Sequence, residues 1–165
     1  MKDIFRIVLL AALAALALWL WTVAFPGPEK VIRKRLTELA GTVSSSPGGS
    51  DLARLAAARS LAGYFGTNVE MNVDLAGHGL HDPMIREEIT QAALAARWGA
   101  GSLTVKFPDI NVTVAPDQQS AVVDLTMEAS ISGEHDPIVQ EMKLTLQKTG
   151  GQWLITRVET VRTLS

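Results

Sequence analysis

The sequence predicts an α+β domain, an antiparallel sheet with one face covered by helices, carried behind a single apolar span. Three observations lead there. From Ser102 to Leu164 the chain reads as β-rich runs separated by turn-forming segments: Pro116-Asp117-Gln118-Gln119, Gly133 to Pro137, and Gly150-Gly151. A Gly-Gly pair between two alternating runs marks a tight hairpin, because both central residues accept positive φ. Within those runs the parity is clean. Ala121, Val123, Leu125, Met127, Ala129 and Ile131 oppose Val122, Asp124, Thr126, Glu128 and Ser130, and Ile138, Gln140, Met142, Leu144 and Leu146 oppose Val139, Glu141, Lys143, Thr145 and Gln147. Such strands bury one face and wet the other, so helices earlier in the chain must cover the apolar side.

The amino-terminal segment is the third observation. Lys2 and Arg6 precede Ile7 to Phe25, 19 residues without a charge. As a helix this run spans about 28 Å, close to the ~30 Å of a bilayer core. Trp19, Trp21 and Phe25 gather at its far end, where aromatic side chains favour the membrane interface, and Pro26-Gly27-Pro28 stops the helix. The expected organisation is therefore a basic tail and single-pass anchor over 1–27 and an α+β domain over 28–165. A cleaved signal peptide with Thr22-Val23-Ala24 at its site is the competing reading. Against it stand an apolar run longer than the ~7–15 residues usual there and two nearby tryptophans. A buried core helix is the third. Lys30, Arg33, Lys34 and Arg35 after the span outnumber Lys2 and Arg6 before it, which favours a cytoplasmic domain by the positive-inside rule. A short basic tail ahead of a first apolar segment commonly stays inside, and on that ground the domain is expected on the extracytoplasmic (periplasmic) side.

Pro28 to Ser44 has Ile32, Leu36, Leu39 and Val43 at helical spacing. Its basic first half reads either as a solvated face, the favoured reading, or as a patch for anionic headgroups. Ser44 to Ser50 is a loop. Asp51 or Ser50 caps a second, alanine-rich helix ending near Gly63 or Gly66, with Leu52, Leu55, Ala62 and Phe65 as its buried stripe. Thr67 to Leu75 alternates as a strand. Asp82 as N-cap and Pro83 at the first helical position start a third helix, with Ile85, Ile89, Ala92 and Ala96 inward and Gly99 to Gly101 at its end. Leu103 to Ala115 is a strand bent or bulged at Pro108-Asp109.

Net charge is −2, from 15 basic and 17 acidic residues, so there is no electrostatic footprint for nucleic acid. The chain has no cysteine, which excludes disulfides, thiolate chemistry and Cys-ligated metal.

The order of elements resembles the nuclear transport factor 2-like (SnoaL-like) superfamily, the cystatin-like cone shared with ketosteroid isomerases. The resemblance covers Pro28 to Leu164. It rests on the block from Val69 through Gly77 into Ile85-Arg86-Glu87-Glu88-Ile89 and on the closing Gly151-Gln152-Trp153-Leu154-Ile155, which is similar to the "Gly-x-Trp-x-Ile" final strand of members. It implies a curved sheet wrapped around about three helices. An anchor ahead of such a domain also resembles, by architecture alone, assembly proteins of type IV secretion inner-membrane complexes.

Enzymes of this superfamily place an acid–base group in the cone. Here the positions assigned to the interior are Val69, Met71, Val73, Val123, Leu125, Met127, Met142, Leu144 and Leu146, none able to transfer a proton, while Asp74, Asp124, Glu128 and Glu141 take the opposite parity. No catalytic residue and no cofactor is assigned. Tyr64, Trp98, Phe107, Met127 and Trp153 are candidates to line an apolar pocket, against the plainer reading as core. His78, His81 and Asp82, with His135-Asp136, supply ligand types for zinc, although Asp82 is already accounted for as a cap and loop histidines are common. The functional expectation is a membrane-anchored, non-enzymatic domain that binds a partner protein, a second copy or a small apolar ligand, and helps assemble a membrane complex. The alternative is an anchored cone enzyme of isomerase, dehydratase or hydrolase type.

Overall fold

A computed structural model describes residues 12–16, 26–44, 50–75, 78–99, 102–133 and 136–161. Three helices and seven strands follow in order: α1 (Pro28–Val43), α2 (Asp51–Ala62), β1 (Phe65–Leu75), β2 (His78–Leu80), β3 (Pro83–Ile85), α3 (Arg86–Gly99), β4 (Leu103–Val114), β5 (Ser120–Ile131), β6 (Ile138–Thr149) and β7 (Gln152–Thr160). Residues 12–16 are also helical, but most of the expected anchor, including Trp19, Trp21 and Phe25, lies outside the described residues. Among the described residues no helix is long and apolar enough to cross a membrane.

The strands form one sheet in the order β2-β1-β7-β6-β5-β4, with β3 also paired to β1. The four long carboxy-terminal strands make the expected antiparallel meander. The expectation of an antiparallel sheet throughout needs correction, because β1 joins β7 in parallel. Its entry is held at the corner after α2, where Ile155 N–H donates to the Tyr64 carbonyl at 2.9 Å. Strand direction across so long a connection is decided by docking, and no local turn dictates it.

Bulges curve this sheet. The ladder between β4 and β5 shifts between Lys106 and Asp109, at the predicted Pro108-Asp109 step. The consequence is chemical as well as geometric: Val105 and Phe107 before the step, and Ile110 and Val112 after it, all reach the apolar side despite their change of parity. A second shift, between Thr145 and Leu146 opposite Arg157 and Ile155, does the same for β7, where Trp153, Ile155 and Val158 are all buried.

The hairpin glycines behave as their sequence suggests. Gly150 and Gly151 have φ of 58° and 81°, and an added Cβ at either would meet nothing within 4 Å. The cost of Gly151→Ala is therefore conformational alone, and a loss of about 1–2 kcal/mol is expected in denaturant unfolding.

α1 covers the sheet along β4. Ile32, Leu36, Leu39 and Ala40 are buried, Val43 partly, and the Arg33 guanidinium donates to the Ile110 carbonyl at 2.5 Å. Ser44 ends the helix and ties it to the sheet: its hydroxyl donates to the Ala40 carbonyl at 2.8 Å and accepts from Val105 N–H at 2.9 Å. Ser44→Ala leaves that buried strand's donor without its partner, so a loss of about 1–3 kcal/mol is expected by thermal or denaturant unfolding.

The faces of the other helices differ in part from expectation. Ser50 caps α2, accepting from Ala53 N–H at 3.3 Å. Leu52 is nevertheless 78% exposed, Ala58 and Ala62 are the buried residues of α2, and Phe65 has already passed into β1. Small alanines let α2 lie close to its neighbours, and the larger Leu52 is left outside. Asp82 and Pro83 do not start the third helix. Pro83–Ile85 pairs with β1 instead, and α3 begins at Arg86, with Glu88 accepting from Ile85 N–H at 2.9 Å. Ile89 is the buried anchor of α3, whereas Ile85 and Ala92 are exposed.

Candidate functional site

The two faces of the sheet carry opposite chemistry. On the helix-covered side Val69, Val123, Leu125, Leu144 and Leu146 are buried, with Met71, Val73, Met127 and Met142 packed against them. Among the described residues no polar or charged residue is buried. The expected interior is thus occupied by aliphatic and aromatic carbon, and Asp124 and Glu141 stand exposed on the other face, with Glu128 half-buried.

The candidate pocket residues separate. Trp153 is a core residue, while Tyr64, Phe107 and Met127 are partly buried at the core's margin. Phe107 and Met127 also pack on a smaller cluster of Ala40, Val105 and Ala129, so these two meet where the clusters join. Tyr64 lies in the corner between α2 and β1, with the Arg35 guanidinium 4.9 Å above its ring. The side chain of Trp98 lies outside those described.

The histidine candidates also separate. His81 Nδ1 is 2.7 Å from Asn72 Oδ1. Its Nε2 edge lies against Gly79, where an added Cβ would come within 2.5 Å of that nitrogen. The contact with Asn72 therefore ties His81 across the β1–β2 corner. The side chain of His78 and all of His135 lie outside those described, Asp82 is exposed, and among the described residues no group of three His, Cys, Asp or Glu is placed to hold a metal ion.

The outer face is where side chains capable of recognition converge. Cross-strand register aligns Asn111, Asp124, Lys143, Glu159 and Asn72 in one row, and Thr113, Val122, Thr145, Arg157 and Glu70 in the next. Lys143 Nζ is 3.7 Å from Asp124. Arg157 Nε donates to Glu70 at 2.6 Å and its guanidinium lies 3.9 Å from Glu159. The hydrogen bond to Glu70, then the charge of Glu70 and of Glu159, raise the Arg157 pKa above its ordinary value. A raised folded-state value means this contribution is complete below the ordinary arginine range and is lost only as pH climbs through the raised value. Arg157 therefore keeps its charge at every pH at which the protein would be handled.

Beside these rows a depression of about 280 Å³ is lined by Asp109, Asn111, Asp124, Leu125, Thr126, Glu141, Met142 and Val161. Sequence parity places Asp124 and Glu141 on this face. It does not bring Asp109 and Asn111 beside them, because that requires the register beyond the bulge; nor does it join Glu70 to Arg157, because that requires the parallel β1–β7 pairing.

No family model and no curated protein matches the sequence. Solved structures do match. An NTF2-like protein of unknown function from Pseudomonas aeruginosa superposes with a TM-score of 0.62 at 10% identity, over 79% of this chain and 97% of that one. One from Pseudomonas putida, also of unknown function, gives 0.61 at 10% identity over 83% and 87%. A candidate scytalone dehydratase from Novosphingobium aromaticivorans gives 0.59 at 15% identity over 82% and 83%. Identities this low speak for backbone arrangement alone. The domain has the nuclear transport factor 2-like fold: a curved sheet of six main-path strands closed on one side by helices.

Proposed function

We propose that this chain is a membrane-anchored, non-enzymatic binding domain whose outer sheet face engages a protein partner in a membrane complex. One observation carries the reading: the partition of chemistry across the sheet. Apolar carbon fills the side on which cone enzymes carry their proton-transfer group, and the ion-paired rows of Asp124–Lys143 and Glu70–Arg157 lie open on the other. A polar face of this kind suits a wet, charge-complementary interface. The anchor reading rests on the uncharged run Ile7–Phe25 and the aromatic residues at its far end. An extracytoplasmic domain remains part of the proposal, and a tethered domain gains effective concentration for partners in the same membrane.

The test is cross-linking in intact membranes followed by mass spectrometry, comparing the full chain with its K143E/R157E variant. The expected result is a reproducible membrane-protein partner lost in the variant, with the partner's own topology reporting the side of the membrane. Identical cross-links from both chains would overturn the assignment to this face.

A second reading has its own observation. Phe107 and Met127 are only partly buried at the junction of the two apolar clusters, a place where a small apolar ligand could seat. Native mass spectrometry of the purified chain would show a bound small molecule, and Met127→Trp would displace it. The dehydratase activity named for one structural neighbour would need a proton donor inside the cone. Turnover of a dehydratase substrate that survives in the full chain at purity would overturn the non-enzymatic reading.

A further inference from the structure

The basic half of α1 is divided by the fold into two arginines tied to carbonyls of the domain and two lysines that are not. Arg33 donates to the Ile110 carbonyl, and Arg35 donates to the Gly63 carbonyl at 2.9 Å while covering Tyr64. Lys30 is exposed and pairs with no described carboxylate; Lys34 is 3.9 Å from Glu38 in a loose pair with both partners exposed. Between these lysines lies an open depression of about 360 Å³ lined also by Pro26, the exposed Val31, Arg35 and Glu38. The outward face of α1 therefore combines two lysines one turn apart with apolar carbon, next to the residue at which the uncharged run ends.

Charge is segregated along the chain in the same sense. Pro28–Ser44 holds four basic and two acidic residues, whereas residues 45–165 hold nine basic and fourteen acidic. An anionic surface would repel most of the domain and attract this one helix. Reach is decisive. From Phe25 to Pro28 an extended chain covers at most about 11 Å, and Lys30 and Lys34 lie within the next two turns. If the run is in a bilayer, a tether this short lets α1 lie along the surface, and in that orientation both ammonium groups come within about a Debye length (~8–10 Å) of the headgroups.

Resting on the anchor reading, we propose that the Lys30–Val31–Lys34 face of α1 docks on anionic lipid headgroups and so sets the orientation of the cone on the membrane. Val31 and Pro26 seat against the interface, the lysines meet phosphate oxygens, and the acidic remainder of the domain turns away.

Amine-reactive labelling of the full chain, read by mass spectrometry, tests this. The chain would be reconstituted in vesicles of phosphatidylglycerol with phosphatidylethanolamine, and separately in phosphatidylcholine alone, with exposed Lys143 as the internal reference. In the anionic vesicles labelling of Lys30 and Lys34 should fall about tenfold relative to Lys143, and 1 M salt, with a Debye length of about 3 Å, should restore it. Equal labelling in the two vesicle types would overturn the proposal while leaving the anchor intact. Equal protection by inorganic phosphate in phosphatidylcholine vesicles would overturn it too, by assigning the lysines to a free anion. A chain extracted from both vesicles by alkaline carbonate would overturn the anchor reading, and this inference with it.

Discussion

Val123→Asp is expected to unfold the domain, and Val122→Asp, one residue earlier, to leave it folded. The two valines are neighbours in sequence on β5 and have the same side chain, so composition and strand propensity cannot separate them. Val123 is fully buried in the core, and Val122 is 37% exposed on the outer face, across from Thr113 and Thr145. A carboxylate at 123 would have to shed its water among Leu125, Leu144 and other apolar carbon, and among the described residues no buried charged residue is there to meet it. Leaving a charge or an unpartnered carboxyl there costs at least several kcal/mol, comparable to the ~5–15 kcal/mol that holds a typical domain together. At 122 the carboxylate keeps its water, and a change within about 0.5 kcal/mol is expected. Circular dichroism and denaturant unfolding of the two variants check this. The pH dependence has a definite sign. Burial raises the folded-state pKa of an aspartate at 123 above its unfolded value near 3.9, so the penalty is smallest below that value and grows as pH rises. Folding of Val123→Asp that improved with rising pH, or a collapse at 122 instead of 123, would show that the faces are reversed.

Leu36→Ala is expected to cost about 2–5 kcal/mol, the transfer of a buried side chain plus the cavity it leaves. Leu36 is 1% exposed on the face of α1 that closes the sheet. The polar ties of α1 to β4, Arg33 to Ile110 and Ser44 to Val105, lie to either side of Leu36 in sequence and do not refill that volume. Amide exchange should therefore accelerate first along α1, before the β5–β6 ladder opens. Uniform acceleration across α1, β5 and β6 would mean that helix and sheet open only together. The variant also bears on the exposed lysines of α1, because a loosened α1 no longer holds Lys30 and Lys34 in one orientation relative to the cone.

Much of the architecture was legible in the chain because its signals are local. Period-two alternation identified β5 and β6 and the buried face of β5, since successive strand side chains must point to opposite sides; on β6 it held for Leu144 and Leu146, whereas Ile138 on the same parity is exposed. Gly150-Gly151 marked a hairpin by conformational freedom alone, and Pro108-Asp109 marked a break in the ladder because proline cannot donate to it. The apolar stripe of α1 was equally plain, since helical geometry places residues 32, 36, 39 and 43 together. Local signals failed where two local preferences competed. Asp82-Pro83 is a good helix start by composition, yet pairing of Pro83–Ile85 with β1 claimed those residues and moved the helix start to Arg86. Leu52 fits a stripe by spacing, yet α2 approaches its neighbours through alanines and leaves Leu52 in water.

What the chain determined by itself is which residues prefer carbon and which prefer water, element by element, because hydrophobic periodicity is a property of neighbours three or four residues apart in a helix and two apart in a strand. What only the tertiary structure decided is which elements meet. The parallel docking of β1 on β7 joins Glu70 to Arg157, the bulge in β4 carries Asp109 and Asn111 beside Asp124, and the packing of α1 ties Arg33 and Arg35 to carbonyls of the domain while Lys30 and Lys34 remain unattached to it. Each depends on contacts between residues far apart in the chain, whose energy is realised only when the cone has closed.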